Sequence, residues 1–292
     1  KRGKKVCQRK KIKTKRCKDK KTFCPRNSKC VKGRGKNKGN YSCRCAGNSV
    51  MRTKPDGTNV CTKLRWCRAT GDPHYRTFDG KVIHFQGVCQ YVLSQPKNKE
   101  FSVLVETQRR KGKKPTVSFV KTITVNVGNV TVAIGQGKKI TVDGVDVNSY
   151  NSESLRVTKT RKKVAVRLLD SGALVLFDGD RAARVGMPSQ YKNKVEGICG
   201  NWNGNAKDDM TPKGATKPAT SYHELGVSWA VKSCDEPSVD VDPKAECPKA
   251  KRDKAIEDCN LMKFNKGPFF SMVGTKKVVI MDPTDIIEEI GR

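Results

Sequence analysis

The sequence predicts a mainly β protein: an antiparallel domain of two packed sheets, with a small disulfide-rich module on its N-terminal side. The first observation is a succession of short runs between residues 81 and 178. They alternate apolar and polar residues with period two and are rich in Val, Ile and Thr. The second is the turn chemistry between them: Asp79-Gly80, Asp143-Gly144, Ser171-Gly172 and Asp178-Gly179, with Gly128-Asn129 between two further runs. The third is cysteine usage. Eight of the thirteen cysteines lie in the first 67 residues, a density that a short polar segment uses for staples in place of a core.

Residues 1–16 are almost wholly basic and lack apolar periodicity, which predicts a solvated arm and a candidate polyanion-binding or processing segment. Residues 17–61 hold Cys17, Cys24, Cys30, Cys43, Cys45 and Cys61. A unit this short folds only if bridges replace a core, and its six cysteines leave fifteen pairings open. The spacing, with Tyr41-x-Cys43-x-Cys45 near its end, resembles an epidermal growth factor-like domain. That resemblance implies Cys17–Cys30, Cys24–Cys43 and Cys45–Cys61. Lys15 and Arg16 stand where calcium-binding members of that family carry acids, so no metal is expected in this module.

Residues 67–234 form the large domain. Strands are expected at 81–85, 89–94, 101–107, 117–126, 130–134, 139–142, 155–159, 163–169 and 173–178. A helix is expected only at 221–231. Residues 235–246, with Pro237 and Pro243, read as a linker, and residues 247–292 as the start of a further cysteine-rich unit with Cys247 and Cys259.

Two motifs, distant in sequence, carry chemistry. The first is Gly71-Asp72-Pro73-His74-Tyr75-Arg76-Thr77-Phe78-Asp79-Gly80, followed by Phe85-x-Gly87-x-Cys89-x-Tyr91-x-Leu93. The second is Gly197-Ile198-Cys199-Gly200-Asn201-Trp202-Asn203-Gly204-Asn205, followed by Asp208-Asp209 and later by Trp229 and Cys234. Asn201, Asn203, Asn205, Asp208 and Asp209 concentrate side-chain oxygens, and Asn alternating with Gly can wrap a hard cation while Asp supplies charge. The same residues can instead form Asx turns that bond their own backbone. The motifs, their order and their separation resemble the von Willebrand factor type D domain of mucin-, tectorin- and zonadhesin-like extracellular proteins.

The resemblance implies one Ca²⁺ site with ligands on Asp79, Asn201, Asn203, Asn205, Asp208 and Asp209, tying an early edge to a late loop. It also implies disulfides Cys67–Cys199 and Cys89–Cys234. The end of the chain resembles the start of the eight-cysteine domain that often follows in this family. There a local Cys247–Cys259 pair would leave Cys7 unassigned. Some relatives carry a Cys-x-x-Cys pair before the late loop and use it for disulfide exchange. Glu196 replaces its first cysteine here, so exchange through that motif is not expected. Some relatives cleave themselves in mild acid at Gly-Asp-Pro-His, which makes Asp72, Pro73 and His74 a candidate self-cleavage site. The carboxylate attacks its own carbonyl and the proline nitrogen leaves once protonated.

The formal net charge is +33, and residues 1–40 hold nineteen Lys or Arg against one acid, Asp19. Such a chain attracts polyanions. Dense cysteines place it in an oxidising compartment, and His74, His84 and His223 lie outside zinc-ligand spacing. Sequons at Asn40-Tyr41-Ser42 and Asn129-Val130-Thr131 suit a secreted glycoprotein. Nucleic-acid binding accounts for the charge but not for the cysteines, and aromatics do not interleave with the basic arm. A yolk-type lipid-carrier role, known for some type D proteins, fits poorly beside a growth factor-like module. There is no signal peptide and no run of 18 apolar residues, and the first residue is Lys, which reads as a mature piece of a longer precursor.

The expected function is therefore structural or adhesive. The chain reads as a calcium-stabilised module of a secreted matrix, mucus or biomineral-associated protein, binding sulfated glycans, acidic matrix proteins or other matrix components. No constellation for catalysis on an external substrate is present. The alternative is a module that cuts itself between Asp72 and Pro73.

Overall fold

The computed structural model describes residues 14–33, 38–46, 49–53, 57–109 and 117–231. The chain enters as two small hairpins. β1 (Thr14–Arg16) pairs with β2 (Phe23–Pro25), and β3 (Ser28–Lys32) pairs with β4 (Tyr41–Cys45). The last residues of the expected basic arm are thus paired strand: Lys15 faces Cys24, and the Arg16 guanidinium lies 5.5 Å from the centroid of Phe23. Three disulfides hold this region, Cys17–Cys30, Cys24–Cys43 and Cys45–Cys61.

β5 (Ser49–Thr53) pairs with β6 (Asn59–Thr70), which runs without a break into the large domain. The expected boundary between residues 61 and 67 therefore falls inside one strand. Arg52 reinforces the join by donating to the Gln190 side-chain oxygen at 2.5 Å and to the Asp170 carbonyl at 3.2 Å.

The large domain is two antiparallel sheets. Its strands continue as β7 (His74–Arg76), β8 (Val82–His84), β9 (Gln90–Pro96), β10 (Phe101–Arg109), β11 (Ser118–Val127), β12 (Val130–Ile134), β13 (Ile140–Val142) and β14 (Val145–Val147). Then come β15 (Tyr150–Asn151), β16 (Leu155–Lys159), β17 (Val164–Leu168), β18 (Leu174–Phe177), β19 (Ala182–Pro188) and β20 (Val195–Glu196). One sheet has the order β14-β13-β12-β11-β10-β9-β20; the other runs β15-β16-β17-β18-β19-β6-β7-β8, with β5 attached to β6. Inward positions of both form one core that includes Tyr75, Phe78, Ile83, Val105, Ile123, Ile134, Val166, Phe177 and Val185. Alternation along each strand sends these residues to one face and the polar ones to the other.

The expected runs match observed strands to within two residues at either end. Six strands of the large domain were not among them: β6, β7, β14, β15, β19 and β20. The helix expected at 221–231 is shorter, α1 (Tyr222–Ser228). Ser221 caps it, accepting from Glu224 N at 3.1 Å. It stops because the following backbone pairs with β9: Val92 N donates to Trp229 O, and Val231 N donates to Gln90 O, each at 2.9 Å. Among the described residues no helix is long and apolar enough to cross a membrane. The linker at 235–246, the unit at 247–292, and Cys7, Cys234, Cys247 and Cys259 lie outside the described residues. Cys89 is disulfide-bonded.

Cys67 in β6 is bonded to Cys199, across 132 residues of sequence and with both cysteines fully buried. Closing so long a loop restricts the unfolded chain strongly. The double variant Cys67→Ala/Cys199→Ala is expected to lose about 2–5 kcal/mol of stability in denaturant unfolding under oxidising conditions. A loss under about 1 kcal/mol would show that the flanking hydrogen bonds hold this junction without the bridge.

Candidate functional site

The two distant motifs meet at the Cys67–Cys199 junction. β7 and β8 form a hairpin whose turn is Thr77-Phe78-Asp79-Gly80, closed by Thr77 N donating to Lys81 O at 2.9 Å. Phe78 N reaches out of this turn to Cys199 O at 3.0 Å. The Thr77 hydroxyl donates to Asp209 Oδ2 at 2.5 Å, and both residues are buried. Arg65 in β6 donates from Nε to the Phe78 carbonyl. Phe78 and Trp202 pack with ring centroids 5.8 Å apart.

The late loop is a chain of Asx turns. Asn203 N donates to Asn201 Oδ1 at 3.0 Å, Asn205 N to Asn203 Oδ1 at 2.7 Å, and Lys207 N to Asn205 Oδ1 at 3.2 Å. The side-chain oxygens thus turn back toward the loop's own backbone, which is the Asx-turn reading of this sequence. Asn203 Nδ2 also donates to Asp208 Oδ2 at 2.5 Å. The bend at Gly200 has φ +78°, and a Cβ there would lie 2.0 Å from Asp209 Oδ1. Only glycine lets the Asp209 carboxylate lie against this backbone.

Hydrogen bonds do not satisfy all of these carboxylates. Asp79 Oδ2 and Asp208 Oδ1 are buried atoms with no hydrogen-bond partner. Asp209 is buried, and its pKa is pushed up to about 6. Burial is the main cause; the Thr77 hydrogen bond opposes it, and the charges of Asp79 and Asp208 add to it. An unpaired carboxylate away from water is costly, so two orphaned oxygens beside the buried Asp209 concentrate negative charge at one junction. Hard cations take this donor set of carboxylate and amide oxygens.

Among the described residues, the one trio of Cys, His, Asp or Glu ligand atoms within 4.8 Å of one another is Cys17, Cys24 and Cys30. Those sulfurs are spent in disulfides. The three aspartates are spaced more widely than that trio. Thr77 and Gly200 belong to this site although ligand chemistry in the sequence did not single them out. Their signal was position, inside the two motifs and beside the acids.

The second candidate site lies at the start of the same hairpin. The His74 and His84 rings meet edge to face at 4.6 Å, with Nδ1 to Nδ1 2.5 Å. They are directly paired residues of β7 and β8, each five positions from Asp79. His74 Nε2 lies 3.0 Å from Asp72 Oδ1. Gln86 Nε2 donates to the Asp72 carbonyl at 2.7 Å, and Pro73 is buried. Glu196, where an exchange cysteine would stand, accepts from Gln95 Nε2 at 2.7 Å. Asn40 and Asn129 are exposed, Asn129 in the turn between β11 and β12.

The pattern of the von Willebrand factor type D domain matches residues 67–215, which span both motifs and the two sheets. The chain belongs to this family. It is 34% identical to zonadhesin of Sus scrofa over 213 residues, covering 70% of this chain and 8% of that protein. It is 31% identical to alpha-tectorin of Homo sapiens over 236 residues, 76% of this chain and 10% of that protein. It is 35% identical to IgGFc-binding protein of Homo sapiens over 196 residues, 64% of this chain and 4% of that protein. The chain thus spans about a tenth or less of these type D relatives.

Gly200→Ala is expected to destabilise the domain by roughly 1–3 kcal/mol, through backbone strain and displacement of Asp209. Thermal unfolding checks this; an unchanged midpoint would mean that the loop has room the structure does not show.

Proposed function

We propose that the chain is a calcium-stabilised structural module of a secreted adhesive or matrix protein, and that its basic surface binds acidic polymers such as sulfated glycans or acidic matrix proteins. The observation that carries the calcium reading is the pair of orphaned oxygens, Asp79 Oδ2 and Asp208 Oδ1, beside the buried Asp209. The candidate ligands are Asp79, Asn201, Asn203, Asn205, Asp208 and Asp209. Ca²⁺ supplies charge neutralisation without redox chemistry. The chain's own residues do the rest. The β7–β8 turn presents Asp79, Gly200 lets the backbone pass Asp209, and the Asn series holds the loop curved. Kinship with zonadhesin, alpha-tectorin and SCO-spondin supports the extracellular adhesive part. The disulfides and the exposed sequons at Asn40 and Asn129 fit the same compartment. The spacing and bridges of residues 17–61 support an epidermal growth factor-like module, and Cys234 is the partner proposed for Cys89.

Calcium at 100 times its Kd is expected to raise stability by about 2.7 kcal/mol. Asp79→Asn and Asp208→Asn are each expected to abolish most of this gain while leaving the fold intact. Thermal unfolding with calcium or chelator reads it. No calcium effect on the unmodified chain, or an equal gain in both variants, would reject the site.

A second reading, self-cleavage at Asp72–Pro73, is favoured by one observation: the Asp72 carbonyl accepts from Gln86 while its carboxylate lies against His74. In this step the Asp72 carboxylate attacks its own carbonyl carbon, and the bond to the Pro73 nitrogen breaks as that nitrogen takes a proton. Water then opens the resulting anhydride. His74 Nε2, 3.0 Å from Asp72 Oδ1, is placed beside the bond to deliver that proton. Incubation in mild acid is expected to give two pieces on a reducing gel and one band without reductant, because Cys67–Cys199 spans the cut. Asp72→Asn is expected to stay intact. A single band under reducing conditions from the unmodified chain ends this reading.

A further inference from the structure

The bond between Asp72 and Pro73 lies in the turn that joins β6 to β7, where Thr70 and His74 are the last paired residues. Gly71 enters this turn with φ +69°, and its N–H donates to the Arg181 carbonyl at 3.1 Å. Pro73 is buried and has no N–H. The Asp72 carbonyl is met from outside the turn, by Gln86.

Gln86 sits between β8 and β9, and the chain is pinned on both sides of it. Phe85 is buried in the core and meets the Tyr91 ring edge to face at 4.9 Å. The Gly87 carbonyl accepts from the Thr107 hydroxyl at 2.8 Å. The side chain of Gln86 then bridges the two sheets. Its Oε1 accepts from Ser118 N at 2.7 Å and from the Ser118 hydroxyl at 3.3 Å, at the start of β11. Its Nε2 donates to the Asp72 carbonyl at 2.7 Å. Chemistry fixes the orientation of this amide. A backbone N–H only donates and a carbonyl only accepts, so the flipped amide would set donor against donor and acceptor against acceptor.

We propose that Gln86 is a catalytic residue of the Asp72–Pro73 cleavage, donating from Nε2 to the oxygen on which negative charge develops. The proposal rests on the reading that the chain cuts itself, and it names a residue that sets the rate. When the Asp72 carboxylate adds to its own carbonyl carbon, the carbonyl oxygen takes the electron pair of the double bond. The pair returns as the bond to the Pro73 nitrogen breaks, and that nitrogen leaves with a proton. One water then opens the anhydride, leaving a free Asp72 carboxyl terminus and a free Pro73 nitrogen. A hydrogen bond to an oxyanion is roughly twice as strong as one to a neutral carbonyl. Only that difference lowers the barrier. Ser118 and the pinned neighbours hold Gln86 in place before the reaction starts, so the donor needs no reorganisation. His74, 3.0 Å from the carboxylate, has the separate task of supplying the proton.

A simple tether between the sheets would use the same hydrogen bonds, so the test reads a pH profile as well as a rate. Cleavage of the full chain is followed on reducing gels between about pH 4.5 and about pH 6.5. Gln86→Met, which keeps the length and removes the donor, is expected to slow cleavage by at least about tenfold; loss of one such donor costs enzymes roughly 10²–10³ in rate. Ser118→Ala, which keeps the backbone N–H, is expected to change the rate by no more than about twofold. In Gln86→Glu the introduced carboxyl donates only when protonated, with an ordinary pKa of about 4.3, and its anion repels the developing charge. Its rate relative to the unmodified chain is expected to recover by about tenfold as the pH falls across that range. Unfolding midpoints monitor the fold, and where Gln86→Met lowers the midpoint the Gln86→Glu profile decides. A Gln86→Met rate within about twofold of the unmodified chain would overturn the role of Gln86 and leave self-cleavage standing. A Gln86→Glu loss that is the same at every pH would assign Gln86 to tethering and overturn the proposal too. No cleavage of the unmodified chain would overturn the self-cleavage reading itself, and the proposal with it.

Discussion

The structure depends on one junction, where the first strand of the large domain, the β7–β8 turn and the late asparagine loop are held together. Cys67–Cys199 makes it covalently, and Phe78 N to Cys199 O and Thr77 to Asp209 make it by hydrogen bonds. These contacts link segments about 120 residues or more apart. Closing such a loop costs entropy that local pairing does not repay, which is why several kinds of bond converge there. The remaining strands between them are mostly hairpin neighbours and need no such tie.

The same convergence concentrates acids where water is excluded. Asp79, Asp208 and Asp209 come from both sides of the junction, and without a counter-charge the orphaned oxygens of Asp79 and Asp208 and the buried Asp209 carboxylate work against the contacts around them. The proposed divalent ion would reverse that sign, so fold closure and the candidate metal site are one physical problem. The Asx turns of the loop show how the chain holds its curvature: each Asn oxygen takes a backbone N–H two residues on.

The basic character divides into two kinds. Lysines are spread along the whole sequence, with many in residues 1–40. Several arginines are brought opposite one another by register, Arg156 with Arg167 and Arg68 with both Arg184 and Arg76. The first kind raises the field around the molecule, while the second is ordered by the sheet. A tight antiparallel sheet repeats neighbours at constant pitch, and that makes a pattern out of residues far apart in sequence.

The sequence by itself determined the fold class, most strand positions and the two motifs, because alternation and turn residues are local signals. The runs at 130–134 and 155–159 coincide with strands at the residue level. It did not reveal β19, whose Ala182-Ala183-Arg184-Val185-Gly186-Met187-Pro188 is buried at five of seven positions and so lacks clean alternation. It overextended α1, because β9 captures the backbone from Trp229 onward. Asp79 and the Asn201–Asp209 loop were legible as oxygen donors. Which of their oxygens are orphaned, and that Thr77 and Gly200 complete the site, followed only from the approach of distant segments. The His74–His84 pair is likewise a product of register. Composition fixes how many charges a chain carries, but only tertiary pairing decides which of them face one another.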